Sequence, residues 1–289
     1  GIKKIKISSG DITNAPLLVN TGYLADEIIL STGMSDLNDI NNGLKAISFG
    51  LLNFIYDECN TKMLNKAFTE FKKSKLLRKK IKLLHCTTEY PAPLKEANLK
   101  AIETLKKKYN VQIGYSDHTN GINTSLAAVA LGAEIIEKHF TLNKSLKGPD
   151  HKASLNPKEF RLMVKGIREV EKTIGNGKKM ISPSETKNIN IARKFLVASS
   201  MIKKGEKFSK NNITCKRSGG GISPFDFWKL IKGKSKRNYE YDDVIDQWIS
   251  AFKLMELTLN DLKEISIGPN TKISEALKTI NANEIKFVM

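Results

Sequence analysis

Gly114-Tyr-Ser-Asp-His-Thr119 and Glu134-Ile-Ile-Glu-Lys-His-Phe-Thr141 are the stretches whose reading decides the fold. In each, an apolar run of strand type breaks into polar residues that include a histidine: Val111-Gln-Ile-Gly114 leads to His118, and Glu134-Ile-Ile136 leads to His139. Between them, Thr124 to Ala133 is an apolar helix stopped by Gly132, so strand, helix and strand form a βαβ unit with parallel strands. Both histidines then stand at the carboxyl edge of the sheet, where ligands and catalysts collect in α/β folds. Two imidazoles from neighbouring parallel strands can share one divalent metal and leave its other positions to water or a substrate oxygen. Histidines that merely cap strand ends and bond to the backbone are the competing reading, and the residues alone leave both open.

The same grammar repeats toward the start of the chain. Ile2-Lys-Lys-Ile-Lys-Ile7 is a strand followed by Ser8-Ser-Gly-Asp11, where a glycine and small hydroxyl residues let backbone amides approach an anion and Lys6 adds charge. A plain turn explains that tetrapeptide equally well. Asp26-Glu-Ile-Ile-Leu30 ends in Ser31-Thr-Gly-Met34, and a helix follows over Asp36 to Ile47. Phe49 to Lys80 is helical in pattern and rich in lysine. Lys82-Leu-Leu-His85 is a third strand, closed by Cys86-Thr-Thr-Glu-Tyr90 and the stiff Pro91-Ala-Pro93 turn, which could hold Tyr90 over a pocket. Ala97 to Tyr109 forms an amphipathic helix that buries Leu99, Ile102 and Leu105.

Beyond the two histidine strands, Lys147-Gly-Pro-Asp-His-Lys152 brings the carboxylate of Asp150 near the histidine edge. Asn156 caps, Pro157 starts and Glu159 supports a helix expected to bury Phe160, Met163, Ile167 and Val170 and to stop at Gly175. Five strand-helix repeats argue for a parallel α/β architecture. After a polar linker the pattern changes to short β runs and tight turns, among them Ile213-Thr-Cys-Lys216 and Arg217-Ser-Gly-Gly-Gly-Ile-Ser-Pro224.

Composition narrows the function classes. No apolar run approaches the ~18 to 20 residues needed to span a bilayer, and no signal peptide pattern opens the sequence. Cys59, Cys86 and Cys215 are odd in number and lack metal-type spacing, which fits reduced thiols in a cytoplasmic protein. A net charge of +18 raises nucleic acid as a partner. The lysines are scattered over helices without arginine-aromatic interleaving, however, so they read as solvated faces with some attraction for anionic substrates, and neither nucleic acid nor membrane is expected.

Ser116-Asp-His118, Glu137-Lys-His139, Gly148-Pro-Asp-His151 and His85-Cys-Thr-Thr-Glu-Tyr-Pro-Ala-Pro93 resemble the motifs of the sialic acid synthase family, in order, from about Lys6 to about Asp246. The resemblance implies condensation of phosphoenolpyruvate with an N-acylated hexosamine to give a nonulosonic acid, with release of phosphate. It also implies a divalent metal, Mn2+ or Mg2+, on His118 and His139. Lys6, Ser9, Ser31, Thr88 and Ser116 are the implied phosphoenolpyruvate contacts. Asp11, Tyr90 and Asp150 are implied to be catalytic and, with Arg217, to contact the sugar; Asp11 replaces the family's glutamate and Ser218 its proline after the arginine. Thr88-Glu-Tyr90 points, by resemblance, to the diacetamido sugar that leads to legionaminate.

The implied architecture is a (β/α)₈ TIM-type barrel, incomplete at the N-terminus by about three units, followed by a small antifreeze-like (SAF) β-rich domain. The boundaries are 1–180 for the partial barrel, 181–188 for a linker, 189–246 for the antifreeze-like domain, and 247–289 for an unrelated tail resembling the start of a CBS domain. The full-length protein is expected to be a domain-swapped homodimer in which Arg217 reaches the partner's site. Lacking the front strands, the chain by itself is expected to be poorly soluble and without synthase activity, an inactive remnant that at most binds phosphoenolpyruvate-like anions.

Overall fold

A computed structural model describes residues 3–246. The chain divides into two compact units, Gly1–Lys178 and Lys179–Met289. The expected CBS-like tail lies outside the described residues.

In the first unit β1 (Lys4–Ile7), β2 (Glu27–Ser31), β3 (Ile81–Cys86), β4 (Gln112–Asp117) and β5 (Ile135–Lys138) form one sheet in the order β1-β2-β3-β4-β5, every pair parallel. Strand runs read from the sequence thus fall on five observed strands. A doubly wound sheet reverses its strand order at a switch point, whereas the wall of a (β/α) barrel adds each strand beside the one before it. No reversal occurs across these five, so the sheet is a partial barrel wall.

The helices are α1 (Ala15–Leu24), α2 (Leu37–Leu51), α3 (Thr61–Lys73), α4 (Lys75–Lys80), α5 (Lys100–Tyr109), α6 (Asn123–Ala130) and α7 (Pro157–Ile174). The core lies between sheet and helices. Leu18, Ile28, Leu44, Ile47, Leu83 and Ile113 are all fully buried in it, and each such side chain contributes about 1.5–3 kcal/mol relative to exposure. Glycines set the closest helix contact: a Cβ on Gly22 of α1 would meet the Gly50 Cα and Leu51 N of α2 at 2.9 Å.

Local chemistry explains the helix ends. Asp36 accepts the Asn38 and Asp39 amides, and Asp39 bonds back to the Asp36 amide, closing a capping box on α2. Asn156 and Glu159 do the same on α7, with Pro157 in its first turn, and the chain leaves at Gly175 with φ of 65°. Gly132 has φ of 96° after α6, as its stopping role requires.

The Phe49 to Lys80 stretch is helical, as its pattern indicates, in separate pieces: α2 stops at Leu51, Asn53 takes a left-handed φ of 52°, and Asn60 caps a separate α3. Two expectations are corrected. The helix expected from Ala97 starts at Lys100, because Asn98 at φ of 40° breaks the backbone just before it; Leu99 is only half-buried there. On α7 Met163 alone is buried, Ile167 and Val170 are half-covered, and Phe160 stays 37% exposed. Periodicity marks an apolar face without saying what covers it.

The second unit contains α8 (Pro183–Thr186), α9 (Ile189–Ala192) and α10 (Phe227–Leu230). Its antiparallel pair is β6 (Phe195–Ala198) with β7 (Ile213–Lys216). Isolated bridges Val197↔Val244 and Ile202↔Tyr239 extend the pairing over a core of its own that includes Leu196, Ile202, Phe208 and Tyr239.

Candidate functional site

At the carboxyl ends of the five strands lies a cavity of about 180 Å³. Its lining is Lys6 on β1 and Ser8, Ser9 and Gly10 beyond it, Ser31 on β2, Cys86, Thr88 and Tyr90 on or after β3, Ser116 and His118 from β4, and Glu137 and His139 from β5. The fold therefore assembles Lys6, Ser9, Ser31, Thr88, Tyr90, Ser116, His118 and His139 in one place. Of the other candidates, Asp11 accepts the Ser8 hydroxyl at 2.7 Å and does not line the cavity. Asp150 flanks it, with Oδ2 3.7 Å from His139 Nδ1. Arg217 is exposed just after β7, in the second unit. Two larger hollows, of about 650 and 680 Å³, lie at other places: one between the β2 and α5 ends, the other beside Glu27 and Lys82 at the amino ends of β2 and β3. The convergent chemistry singles out the smaller one.

One side of the cavity is built for an anion. Lys6 lines it together with Ser9, Ser31, Thr88 and Ser116. Ser9 Oγ accepts the Gly33 N–H at 3.0 Å, which ties the β1 and β2 ends together, and lies 3.2 Å from Cys86 Sγ. The Ser31 hydroxyl is buried and has no hydrogen-bond partner among the described residues. Buried polar atoms are rarely left unpaired, so this hydroxyl points to a ligand oxygen.

The other side holds the two imidazoles, their rings 5.5 Å apart and nearly perpendicular, with the Tyr90 ring 4.1 Å from His118 and 4.8 Å from His139. His118 Nδ1 is 2.6 Å from the Thr87 carbonyl, so that nitrogen donates and carries the proton. Burial favours the neutral ring and holds the His118 imidazole below its ordinary value of 6.5, although the hydrogen bond to the Thr87 carbonyl pulls the other way. Nε2 is then an acceptor. The Ser116 hydroxyl spends its one proton on Glu137 Oε1 at 2.6 Å, so Tyr90, 3.1 Å away, is the group that donates to Nε2. Burial also raises the Tyr90 phenol, which keeps it protonated for that role.

His118 and His139 are the residues that would hold a divalent metal, His118 through Nε2 in place of its bond to Tyr90. A metal-binding histidine usually gives its second N–H to a carbonyl or carboxylate, which His118 does through Thr87 and His139 approaches through Asp150. Among the described residues no group of three or more His, Cys, Asp and Glu side chains is placed to hold a metal ion, so two imidazoles would leave most positions to water and substrate.

Glu137 is a cavity residue to which the sequence reading gave no role. Its carboxylate takes the Ser116 hydroxyl and lies 3.4 Å from Lys6 Nζ, so it occupies the anion-binding groups. The signal that could have found it is its place two residues before His139 on a strand, which puts both side chains on one face.

Comparison with known proteins places this arrangement in context. Residues 1–179 match the sequence model described as the NeuB family. The chain is 47% identical over 245 residues to the N,N'-diacetyllegionaminic acid synthase of Campylobacter jejuni, covering 85% of this chain and 66% of that protein. It is 32% identical over 242 residues to human N-acetylneuraminate-9-phosphate synthase, covering 83% and 60%. The chain thus spans somewhat less than two thirds of the length of these relatives. Among solved structures, an N-acetylneuraminic acid (sialic acid) synthetase from Leptospira borgpetersenii in complex with citrate superposes with a TM-score of 0.50 at 36% identity, over 65% of this chain and 57% of that one. A spore coat polysaccharide biosynthesis protein E from Chromobacterium violaceum shares the fold with a TM-score of 0.60 at 24% identity, over 85% and 67%. No helix among the described residues is long and apolar enough to cross a membrane.

Proposed function

The chain belongs to the NeuB family, and from that premise we propose that it carries the reaction centre of a nonulosonic acid synthase, joining phosphoenolpyruvate to an N-acylated hexosamine and releasing phosphate. The observation that carries this reading is the convergence of one ammonium, five serine and threonine hydroxyls, two imidazoles and the Glu137 carboxylate from five strand ends on a cavity in which the Ser31 hydroxyl has no partner among the described residues.

Lys6, Ser9, Ser31, Thr88 and Ser116 hold the phosphate and carboxylate of phosphoenolpyruvate and fix its carbon 3 beside the imidazoles. Carbon 3 attacks the aldehyde carbon of the open-chain sugar; water adds at carbon 2, and phosphate leaves by C–O cleavage. His118 and His139 would hold a divalent ion, Mn2+ or Mg2+, which when bound would supply Lewis-acid polarisation of the aldehyde. Tyr90, whose ring covers both imidazoles, orients the acceptor together with Asp11 and Asp150. The proposal includes a domain-swapped homodimer, in which Arg217 would reach the sugar bound by the partner. Similarity to a legionaminic acid synthase favours the diacetamido sugar over N-acetylmannosamine.

Phosphate release with phosphoenolpyruvate, Mn2+ and each sugar, measured on a version extended to the length of the relatives, tests the proposal. Turnover abolished by chelator, by His118→Ala and by His139→Ala is expected; turnover that survives all three removes the metal assignment. A second reading, capture of the anion without turnover, is favoured by one observation: Asp11 and Asp150 do not line the cavity and Arg217 lies in the other unit, so the anion side is the side assembled within the first unit. Calorimetric binding of phosphoenolpyruvate with no phosphate release supports that second reading.

A further inference from the structure

The strands bearing His118 and His139 are joined to each other one residue before the histidines. Asp117 lies directly opposite Lys138 in the parallel register of β4 and β5. Their side chains are 0% and 1% exposed, and Lys138 Nζ is 3.1 Å from Asp117 Oδ2. Because side chains alternate across a strand, Ser116, His118, Glu137 and His139 face the cavity while Asp117 and Lys138 face the helix layer.

Their bonds bracket His118. Asp117 Oδ1 accepts the Thr119 amide at 2.9 Å and the Thr119 hydroxyl at 2.7 Å, and Oδ2 accepts the hydroxyl of Ser125 in α6 at 2.6 Å. Lys138 also donates to the Thr119 carbonyl. The residues on both sides of His118 are thereby anchored, one to β5 and α6, the other to Asp117 and Lys138. Taking two charges out of water is costly, and well-packed neutral groups often replace a buried pair without loss of stability. What neutral packing does not supply is direction. Hydrogen bonds of fixed geometry at residues 117, 119 and 138 set the registry and tilt of the two strand ends.

We infer that Asp117 and Lys138 are positioning residues, a brace behind the sheet that holds His118 and His139 at the separation and orientation needed to face one ligand between them. This rests on the reading that the two imidazoles share a metal.

The test compares the full chain with Lys138→Met, which leaves the Asp117 carboxylate buried and unpaired, and with the double variant Asp117→Asn and Lys138→Met, which removes both charges while keeping an acceptor for Thr119. Thermal melts, 15N shifts of the imidazoles in metal-free protein, and Mn2+ affinity are measured on each. The single variant should melt well below the parent. The double variant should recover most of the melt, yet show averaged imidazole shifts and Mn2+ binding weaker by about 10- to 100-fold, the loss typical when a metal ligand's outer partners are removed. A double variant that melts like the parent with unchanged imidazole shifts and Mn2+ affinity overturns the inference, as does one that fails to fold, since the pair would then serve stability itself. If the parent holds no Mn2+ but the imidazole shifts still change in the double variant, the brace stands and the metal reading falls.

Discussion

Gly33→Ala is expected to damage the anion site while sparing the fold. Gly33 follows β2 at the point where three strand ends meet. A Cβ there would lie 2.8 Å from Ser9 Oγ and 3.0 Å from Cys86 Sγ, and closer still to Thr88 Oγ1. An unstrained contact needs about 3.5 Å, so Ser9 has to retreat by about 0.7 Å and Thr88 by more. That retreat breaks the 3.0 Å bond from the Gly33 amide to Ser9 Oγ and moves two of the hydroxyls meant for the anion. Misplacement on the scale of 1 Å costs about 100-fold, so binding of phosphoenolpyruvate should weaken by about 10- to 100-fold, or about 1.4–2.7 kcal/mol. Calorimetry with phosphoenolpyruvate measures it, with a thermal melt to confirm folding. Gly220→Ala, in the second unit, is the control: nothing lies within 4 Å of its added Cβ, so affinity should hold. A folded Gly33→Ala protein that binds phosphoenolpyruvate within about twofold of the parent would refute the reasoning.

Other perturbations read other parts of the molecule. Gly22→Ala pushes a methyl into the backbone of α2, which cannot step aside, so the melt should report a loss of about 1–3 kcal/mol or more; an unchanged melt counts against the close helix crossing. Glu137→Gln removes the carboxylate that pairs with Lys6, and phosphate should bind more tightly by up to about fivefold, the scale of a half-exposed ion pair, as calorimetry would show. His85 and His118 are both held below the ordinary histidine value of 6.5, chiefly by burial, so as pH falls below about 6.5 the unfolded chain takes up protons that the folded one refuses. Stability should be full above that pH and decline below it, and His85→Gln should flatten the decline in melts taken across that range.

Much of this site could be read from the sequence because its logic is local. An apolar run, a small polar break and an apolar helix place Ser31, Ser116, His118 and His139 at one edge without knowledge of any neighbour, and the Asn156-Pro157-Glu159 cap is written in consecutive residues. What was not legible depends on residues far apart. The Asp117–Lys138 pair exists only because β4 and β5 align with those two positions opposite each other across 21 residues; a Lys in a strand otherwise reads as exposed. The face of Glu137 is written in its place two residues before His139, but its pairing with Lys6, from the far edge of the sheet, is not. The exposure of Phe160 is set by what packs on α7, which its own heptad cannot tell.

Because Ser9 meets Gly33 across 24 positions and Cys86 across 77, the cavity is absent from any state in which a strand is unpaired or out of register. Its ligand therefore binds the native ensemble alone and is linked by mass action to the folding of the whole unit: an anion present at 100 times its dissociation constant adds about 2.7 kcal/mol to the unfolding free energy. The rise in melting temperature with phosphoenolpyruvate becomes a gauge of correct strand pairing, independent of whether a product is ever made.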